Sequence, residues 1–219
     1  MKVLGIDEAG RGAVIGPMVI CGFLIDKEKV KLLRKFGVRD SKELSPEKRE
    51  EIAKKLKKLA DDYILLKFKA RDIDESRSEK SLNEIEFEAF AKIIKLLSPD
   101  IAIIDSPQFD SKKVRKKLRR LLGNSKVRLI VRTKADKRYA VVSAASILAK
   151  VKRDEEIERL KRKFGFDFGT GYAHDERTLK FLQASLRRHE LPACVRRSWI
   201  TVKRLVNESR QRKLLEFAS

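Results

Sequence analysis

Acidic side chains occur where three strand-like runs of the sequence end. Asp7 and Glu8 close the first run, Asp105 closes the apolar run IAIID, and Asp136 follows VRLIVRT. The carboxyl ends of neighbouring parallel strands meet at one edge of an α/β sheet, where ligands bind. Asp7 and Asp105 should therefore approach each other if their strands pair, and Asp136 should join them from the first turn of the following helix.

A group of carboxylates indicates a different function from a single carboxylate. An isolated Asp after a strand more often caps a helix or makes an Asx turn, and an N-cap alone would account for Asp136. Four carboxylates in one cleft, however, would raise one another's pKa values unless a cation lay among them. Oxygen ligands favour Mg²⁺ or Mn²⁺, and no His or Cys cluster indicates zinc. Two such ions, roughly 3.5–4 Å apart, form the arrangement that drives phosphodiester cleavage.

Glu8 sets a condition on the first strand. Successive side chains of a strand point to opposite faces of its sheet. Asp7 and Glu8 can therefore share a site only if the strand ends or bulges between them. The small residues Ala9 and Gly10 that come next favour such an ending.

The charge balance indicates a polyanionic partner. The chain of 219 residues has 53 Lys and Arg against 32 Asp and Glu, a net charge of +21. Heat adaptation would explain the 39% of charged residues, but it usually raises both signs and leaves the imbalance unexplained. Residues 112–138 hold 13 bases and a single acid, Asp136. This run is either a solvated face or a surface that follows a nucleic-acid backbone, in which case affinity should fall steeply with salt.

Alternating β-branched and amphipathic runs predict an α/β fold with a mixed sheet flanked by helices. Predicted strands cover Lys2–Asp7, Met18–Ile25, Tyr63–Lys69, Ile101–Asp105 and Val127–Thr133. A glycine-containing turn between the first two predicts an antiparallel hairpin, and helical connections predict parallel crossovers later. Predicted helices start after the N-cap Ser45, at Asn83 with Glu86 closing a capping box, at Lys112 and near Tyr139.

The predicted domain boundary lies near residue 170. Residues 1–170 form the α/β body, and residues 171–219 form a basic helical extension for substrate binding. Within the extension, Trp199, Val202, Val206 and Ser209 share one face and predict a packing seam. Cys21 and Cys194 show neither metal-binding spacing nor a disulfide framework, which fits a reducing cytoplasm. No signal peptide is expected, and the uncharged residues 12–25 are too few to span a bilayer.

Several motifs together resemble type 2 ribonuclease H, also called ribonuclease HII, and most closely its archaeal single-chain branch. They are Asp7-Glu8-Ala9-Gly10-Arg11-Gly12, Asp40-Ser41-Lys42, Asp105, and Lys134-Ala135-Asp136 followed by VVSAASILAKVKRD. The resemblance implies a ribonuclease H-like fold with a C-terminal helical part. It implies endonucleolytic cleavage of RNA in RNA–DNA hybrids, and of duplex DNA on the 5′ side of single embedded ribonucleotides, leaving 5′-phosphate and 3′-hydroxyl ends. It also implies a role in ribonucleotide removal during DNA replication and repair.

The resemblance also assigns roles to residues. The catalytic, metal-binding carboxylates map onto Asp7, Glu8, Asp105 and Asp136, the four that the strand ends select. Gly10, Arg11 and Gly12 would contact the 2′-hydroxyl, the group that distinguishes RNA from DNA. Tyr172 would pack against the next sugar and favour an RNA-to-DNA junction. Weaker matches near the phosphates are Lys42, Ser143, Ser146 and Lys150, and Asn83 would touch the DNA strand, although helix capping suffices to explain it.

Two departures from the family pattern bear on substrate reading. Ala13 stands where Pro is usual, and Ala173-His174 stands where Pro-Ser is common. Both remove local stiffness, so junction selectivity should weaken. His174 and His189 are expected at the surface, without a role as bases.

Two other functions remain open at this point. A non-catalytic RNA-binding protein would explain the charge but not the strand-end carboxylates. The sister type 3 enzyme, which prefers long hybrids, typically has an N-terminal substrate-binding extension, whereas the motif here starts at residue 7. Archaeal relatives suggest a monomer. The C-terminal LLEFAS has the apolar and aromatic character of a sliding-clamp motif, which is a weak signal.

Overall fold

A computed structural model describes residues 1–38, 44–106, 111–188 and 190–218, with side chains described up to residue 211. The predicted contacts of Lys42 and the surface position of His189 therefore lie outside the described residues. Nor are the side chains of LLEFAS described. Within the described ranges, no helix is both long and apolar enough to cross a membrane.

The sheet has five strands in the order β3-β2-β1-β4-β5. The strands are β1 (Lys2–Ala9), β2 (Met18–Asp26), β3 (Asp62–Phe68), β4 (Ile101–Asp105) and β5 (Arg128–Arg132). β1 pairs with β2 antiparallel, whereas β4 runs parallel to both β1 and β5. The predicted hairpin and mixed sheet are confirmed, and so are the parallel crossovers that join β1, β4 and β5.

The helices are α1 (Val30–Lys35), α2 (Pro46–Leu59), α3 (Ala70–Ser76), α4 (Leu82–Leu97), α5 (Ser111–Leu122), α6 (Ala140–Phe164), α7 (Glu176–Arg187) and α8 (Ile200–Ala218). Ser45 caps α2 as predicted, with Pro46 in its first turn. The predicted start of α4 is wrong, because the capping box joins Ser81 to Glu84 rather than Asn83 to Glu86. Glu86 is buried instead.

The chain forms two compact units. The first comprises residues 1–9, 19–67 and 81–152, and the second comprises residues 10–18, 68–80 and 153–219. The second unit thus contains the C-terminal helices together with two earlier segments. The boundary that the sequence predicts near residue 170 divides the chain by function, and it stays a prediction.

Helices cover both faces of the sheet in the first unit. A Cβ on Gly5 of β1 would lie 2.2 Å from the carbonyl oxygen of Val141, so α6 contacts this face with backbone. A Cβ on Gly22 of β2 would lie 2.3 Å from Ile93 of α4. Side chains of α2 and α6 share one apolar cluster, from which α4 and α5 are absent. One face of the sheet is therefore covered by α2 and α6. The other face is covered by α4 and α5, and these two helices also pack against each other.

The second unit has its own apolar core. Val14 and Ile15, from the connection between β1 and β2, pack with α7, α8 and the end of α6. Ile15 forms a β-bridge with Val195. The connection between the first two strands is thus a structured segment of this unit, not only the turn that the sequence predicts. Of the predicted packing seam, Val202 is buried, and Trp199 and Val206 pack partly buried against the same core.

Candidate active site

Three aspartates meet at the carboxyl ends of the parallel strands in the first unit. Asp7, Asp105 and Asp136 each offer a carboxylate oxygen, and these oxygens all lie within 4.8 Å of one another. The parallel pairing of β1 with β4 brings the first two together, since Ile6 lies opposite Ile104 one residue before them. The sequence-based expectation for the meeting of these three side chains agrees with this geometry.

Asp136 approaches from a short 3-10 turn, Ala135–Lys137, that precedes α6. Its backbone N–H lies 3.4 Å from Asp105 Oδ2, and Lys137 N–H donates to Asp136 Oδ1 at 2.9 Å. The preceding residue, Lys134, has a left-handed conformation with φ of 54°. The carboxylate is therefore held by local backbone beside Asp105, and Asp136 is not the N-cap of the long helix.

Glu8 lies outside this group of three. β1 continues to Ala9, with Glu8 opposite Ile20 and Ala9 opposite Val19 in unbroken antiparallel register. The predicted strand end or bulge between Asp7 and Glu8 is thus wrong. Because side chains alternate along a regular strand, the two residues start from opposite faces. The backbone N–H of Glu8 nevertheless donates to Asp7 Oδ1 at 2.8 Å.

Burial and mutual repulsion disfavour full ionisation of the aspartates. Asp7 is only 7% exposed, and burial together with the charge of Asp105 raises its pKa to about 7. Burial and the neighbouring Asp136 also raise the pKa of Asp105. The hydroxyl of Ser146, on α6, hydrogen-bonds the Asp7 carboxylate and opposes this shift. A cation among the three carboxylates would relieve the repulsion.

The donor set fits a hard divalent cation. The group consists only of carboxylates, and no His or Cys belongs to it. Mg²⁺ and Mn²⁺ prefer such oxygen ligands, whereas zinc sites usually contain His or Cys.

The other predicted contacts on α6 differ in their surroundings. Ser143 is fully buried, and its hydroxyl donates to the carbonyl oxygen of Val38. Its hydroxyl is thus engaged inside the first unit. Ser146 and Lys150 are both partly exposed and lie one helical turn apart, so they share a face of α6. Asn83 lies in the first turn of α4, one residue from the capping-box Glu84.

In the second unit, the Gly10–Gly12 turn contains two glycines in different situations. Gly10 has a φ of +79°, and a Cβ there would lie 2.6 Å from the carbonyl oxygen of Pro17. The local fold therefore requires glycine at this position. At Gly12 a Cβ would meet nothing within 4 Å, and the backbone needs no left-handed conformation. The protein's own packing gives no reason for glycine there.

A buried guanidinium that the sequence analysis missed holds this turn. Arg196 is fully buried and donates to the carbonyl oxygens of Gly10, Arg11 and Gly16 at 2.7, 2.8 and 3.0 Å. Burial, with the nearby positive charge of Arg153, lowers the pKa of Arg196 to about 9. In the sequence, the one signal for this residue is that the pair Arg196-Arg197 lies close to the single tryptophan, Trp199. In the structure, the guanidinium carbon of Arg196 lies 4.8 Å from the centroid of the Trp199 ring.

A second buried arginine contacts the predicted sugar-packing tyrosine. Arg153 is 1% exposed, and its guanidinium carbon lies 4.8 Å from the ring centroid of Tyr172. The same guanidinium donates to the carbonyl oxygen of Thr170. His174 is exposed as expected, but its ring also stacks on Tyr172, with centroids 5.5 Å apart. The tyrosine ring is thus held by a cation and a second ring, despite the missing Pro.

Asp175 organises the loop that carries this tyrosine. Its carboxylate accepts hydrogen bonds from the backbone N–H of Thr170 at 2.8 Å and of Arg177 at 3.0 Å. The first of these bonds is the largest reason why the pKa of Asp175 lies well below its usual range. One side chain therefore caps α7 and fixes the preceding loop.

Comparisons with known proteins agree on one family. Residues 4–202 match the sequence model of the family described as Ribonuclease HII. The Ribonuclease HII of Archaeoglobus fulgidus is 45% identical over 213 residues, covering 97% of this chain and 98% of the relative. The crystal structure of the ribonuclease H2 from Pyrococcus horikoshii OT3 superposes with a TM-score of 0.89 at 42% identity, covering 96% and 99% of the two chains.

A further solved structure contains a partner. It is the PCNA:RNase HII complex from Archaeoglobus fulgidus, whose matching chain has a TM-score of 0.85 at 44% identity. The match covers 91% of the chain described here and 95% of that chain. The ribonuclease H-like fold predicted from the sequence is confirmed by these similarities.

Proposed function

Since this chain belongs to the ribonuclease HII family and is a ribonuclease H endonuclease acting on RNA–DNA hybrids, we propose that it also cuts duplex DNA 5′ of single embedded ribonucleotides. The products would carry 5′-phosphate and 3′-hydroxyl ends. The biological role would be ribonucleotide removal during DNA replication and repair, in the cytoplasm. The observation that carries the chemistry is the convergence of Asp7, Asp105 and Asp136.

The three aspartates would hold two divalent ions, Mg²⁺ or Mn²⁺, with Glu8 as a fourth acidic residue assigned by the family motif. When bound, such ions supply an activated water and stabilise the leaving oxygen of the phosphodiester. The protein's part is to keep the carboxylates oriented. Ser146 and the N–H of Glu8 fix Asp7, while the N–H of Asp136 approaches Asp105.

The Gly10–Gly12 turn would read the 2′-hydroxyl of the ribonucleotide. Its backbone is rigidly held, because one buried guanidinium binds three carbonyl oxygens of residues 10–16. The open space at Gly12 supports this role, since a missing side chain lets a ligand approach the backbone closely. Arg11 is partly exposed beside it and would contact the same nucleotide.

Tyr172 would pack against the sugar on the 3′ side of the ribonucleotide, where a ring leaves no room for a second 2′-hydroxyl. Its contacts with Arg153 and His174 support a fixed ring orientation. They also compensate for the stiffness lost at Ala173-His174. We therefore expect the preference for an RNA-to-DNA junction to be retained, contrary to the weakening expected from the sequence alone.

The remaining assignments concern partners and phosphate contacts. Lys42, Ser146 and Lys150 would lie near the substrate phosphates, whereas the engaged hydroxyl of Ser143 makes it a weaker candidate. A sliding clamp would bind the C-terminal LLEFAS, a proposal supported by the similarity to a chain solved in a PCNA complex. The chain would act as a monomer.

The test uses a DNA duplex with one ribonucleotide, a continuous RNA–DNA hybrid, and the Gly12→Ala variant. The wild type should nick the first duplex 5′ of the ribonucleotide only when Mg²⁺ or Mn²⁺ is present. Gly12→Ala should fold with unchanged Tm, because its methyl group meets no protein atom, yet lose at least tenfold in kcat/KM on the single ribonucleotide. Cleavage of the continuous hybrid alone would contradict the single-ribonucleotide assignment and favour a type 3-like preference.

A further inference from the structure

Helix α5 has an unusual charge distribution. It contains seven Lys and Arg and no acid over Ser111–Leu122. Val114, Leu118 and Leu122 are buried, so the helix rests on the first unit through one apolar stripe. Lys113, Lys116 and Arg120 are exposed, and their spacing of three and four residues places them on one face, opposite the apolar stripe.

Several other exposed helices contain acids that pair with bases of the same helix, whereas α5 has no acid that could do so. Lys55 pairs with Glu51, Arg71 with Glu75, Lys180 with Glu176 and Arg204 with Glu208, each four residues apart on its helix. In α5, Lys116 and Arg120 are like charges at this spacing, which destabilises a helix. Neither forms an ion pair within the described residues. Cations at the helix N-terminus oppose the macrodipole as well.

The topology places this face beside the aspartate group at one end. β4 ends at Asp105 in that group, and α5 begins at Ser111, then returns the chain to β5, which is parallel to β4. A helix between parallel strands runs antiparallel to them, so α5 starts at the aspartate edge and leads away from it. Its 12 residues cover about 18 Å at 1.5 Å each. The stripe from Lys113 to Arg120 covers ~10 Å, the axial rise of about three phosphates of one strand.

We propose that Lys113, Lys116 and Arg120 form an outlying duplex-binding surface that contacts the backbone of one flank, away from the scissile phosphate. The occupant is double-stranded nucleic acid, because a continuous row of cations with no acid among them complements a row of phosphates. The proposal rests on the proposed function, since the flanking duplex belongs to the same substrate. The surface supplies affinity and register, and it takes no part in the chemistry.

The test compares Lys113→Gln/Lys116→Gln/Arg120→Gln with the wild type on single-ribonucleotide duplexes. Lys54→Gln/Lys57→Gln/Lys58→Gln is the matched control, because it removes three exposed charges from α2 on the opposite sheet face. One substrate has flanks longer than a helical turn, and two others have either flank shortened to about three base pairs, ~10 Å of axial rise. KM and kcat are measured across a salt series.

The α5 variant should raise KM on the long duplex about tenfold with kcat unchanged. It should flatten the slope of log(1/KM) against log[salt] by up to ~2.7, about 0.9 per lost phosphate contact. On the duplex shortened on the contacted flank, wild type and variant should have equal KM. KM and slope equal to those of the α2 control, or an equal loss on all three substrates, would overturn the proposal. Failure of the proposed function would look different, since then no chain, wild type included, would nick these substrates.

Discussion

Replacing Arg196 by Gln should show whether this residue positions the Gly10–Gly12 turn, which we propose reads the substrate, or only fills space in the core. The guanidinium makes three hydrogen bonds to carbonyl oxygens of residues 10, 11 and 16. A glutamine amide is shorter and reaches one of them at most. Two of the three carbonyl oxygens would then lose the guanidinium as a donor, at a cost of up to about 1–3 kcal/mol each, less at the Gly10 oxygen, which also accepts from the backbone N–H of Ala13.

A second effect of the substitution increases stability and offsets part of the free energy lost with these hydrogen bonds. The wild-type protein buries a charged guanidinium next to a second one, which lowers the pKa of Arg196 to about 9. Removing a buried charge recovers part of its desolvation penalty. The net destabilisation is then about 1–3 kcal/mol, which corresponds to a fall in Tm of about 2–12 °C for a chain of this size.

The measurements are a thermal melt and steady-state cleavage of a single-ribonucleotide duplex, with Arg197→Gln as the matched control. Arg197 is the adjacent arginine, is exposed, and its side chain donates only to the carbonyl oxygen of Leu191 in the described part of the chain. Arg196→Gln should lose at least tenfold in kcat/KM at a temperature where it is fully folded, and Arg196→Lys should recover part of it. Tm and kcat/KM equal to those of Arg197→Gln would refute the positioning role.

Four further outcomes test separate parts of the structure. Asp7→Asn should raise the Tm of the metal-free protein at pH 8, because the raised pKa of Asp7 means that wild-type stability falls as pH rises from about 4 towards 7. An unchanged metal-free Tm would contradict the raised pKa. Mn²⁺ should raise the Tm of the wild type but not that of the variant. Asp175→Asn should lower Tm at pH 7 by a few degrees, and the difference should narrow below about pH 4 as the wild-type carboxylate protonates from its lowered pKa; a difference independent of pH would argue against it. Gly5→Ala should abolish stable folding, since its Cβ would lie 2.2 Å from Val141 O, and soluble, cooperatively melting protein would disprove the contact. Tyr172→Ala should reduce the preference for a single ribonucleotide over a continuous hybrid by at least fivefold, measured at a temperature where the variant is fully folded, and an unaltered ratio would exclude the sugar-packing role.

Periodicity and local signals in the sequence were sufficient to predict several elements of the fold. β4 has the predicted bounds, and Ser45-Pro46 starts α2 as expected. The meeting of Asp7 with Asp105 required one inference, that their strands are parallel neighbours. The start of α4 was misplaced because two overlapping capping signals lie two residues apart, and the backbone uses Ser81-Glu84.

The features that the sequence did not predict depend on contacts between distant segments. The bonds from Arg196 to Gly10 and Gly16 join residues about 180 positions apart, and no local pattern marks an arginine as fully buried. The regular register of β1 past Glu8 is likewise set by its pairing with β2, not by the small residues after it. The stacking of His174 on Tyr172 is a tertiary outcome of loop geometry around Asp175.

The central claim is that Asp7, Asp105 and Asp136 act together as the metal-holding group of a ribonuclease. The most direct measurement is the nicking of a duplex containing one ribonucleotide by the wild type and by Asp105→Asn, with Mn²⁺, with Mg²⁺ and after chelation. Asp105→Asn keeps the size of the side chain while removing one charge from the group. We predict metal-dependent nicking by the wild type and a loss of at least a thousandfold in the folded variant. Nicking that survives either chelation or the substitution would contradict the claim.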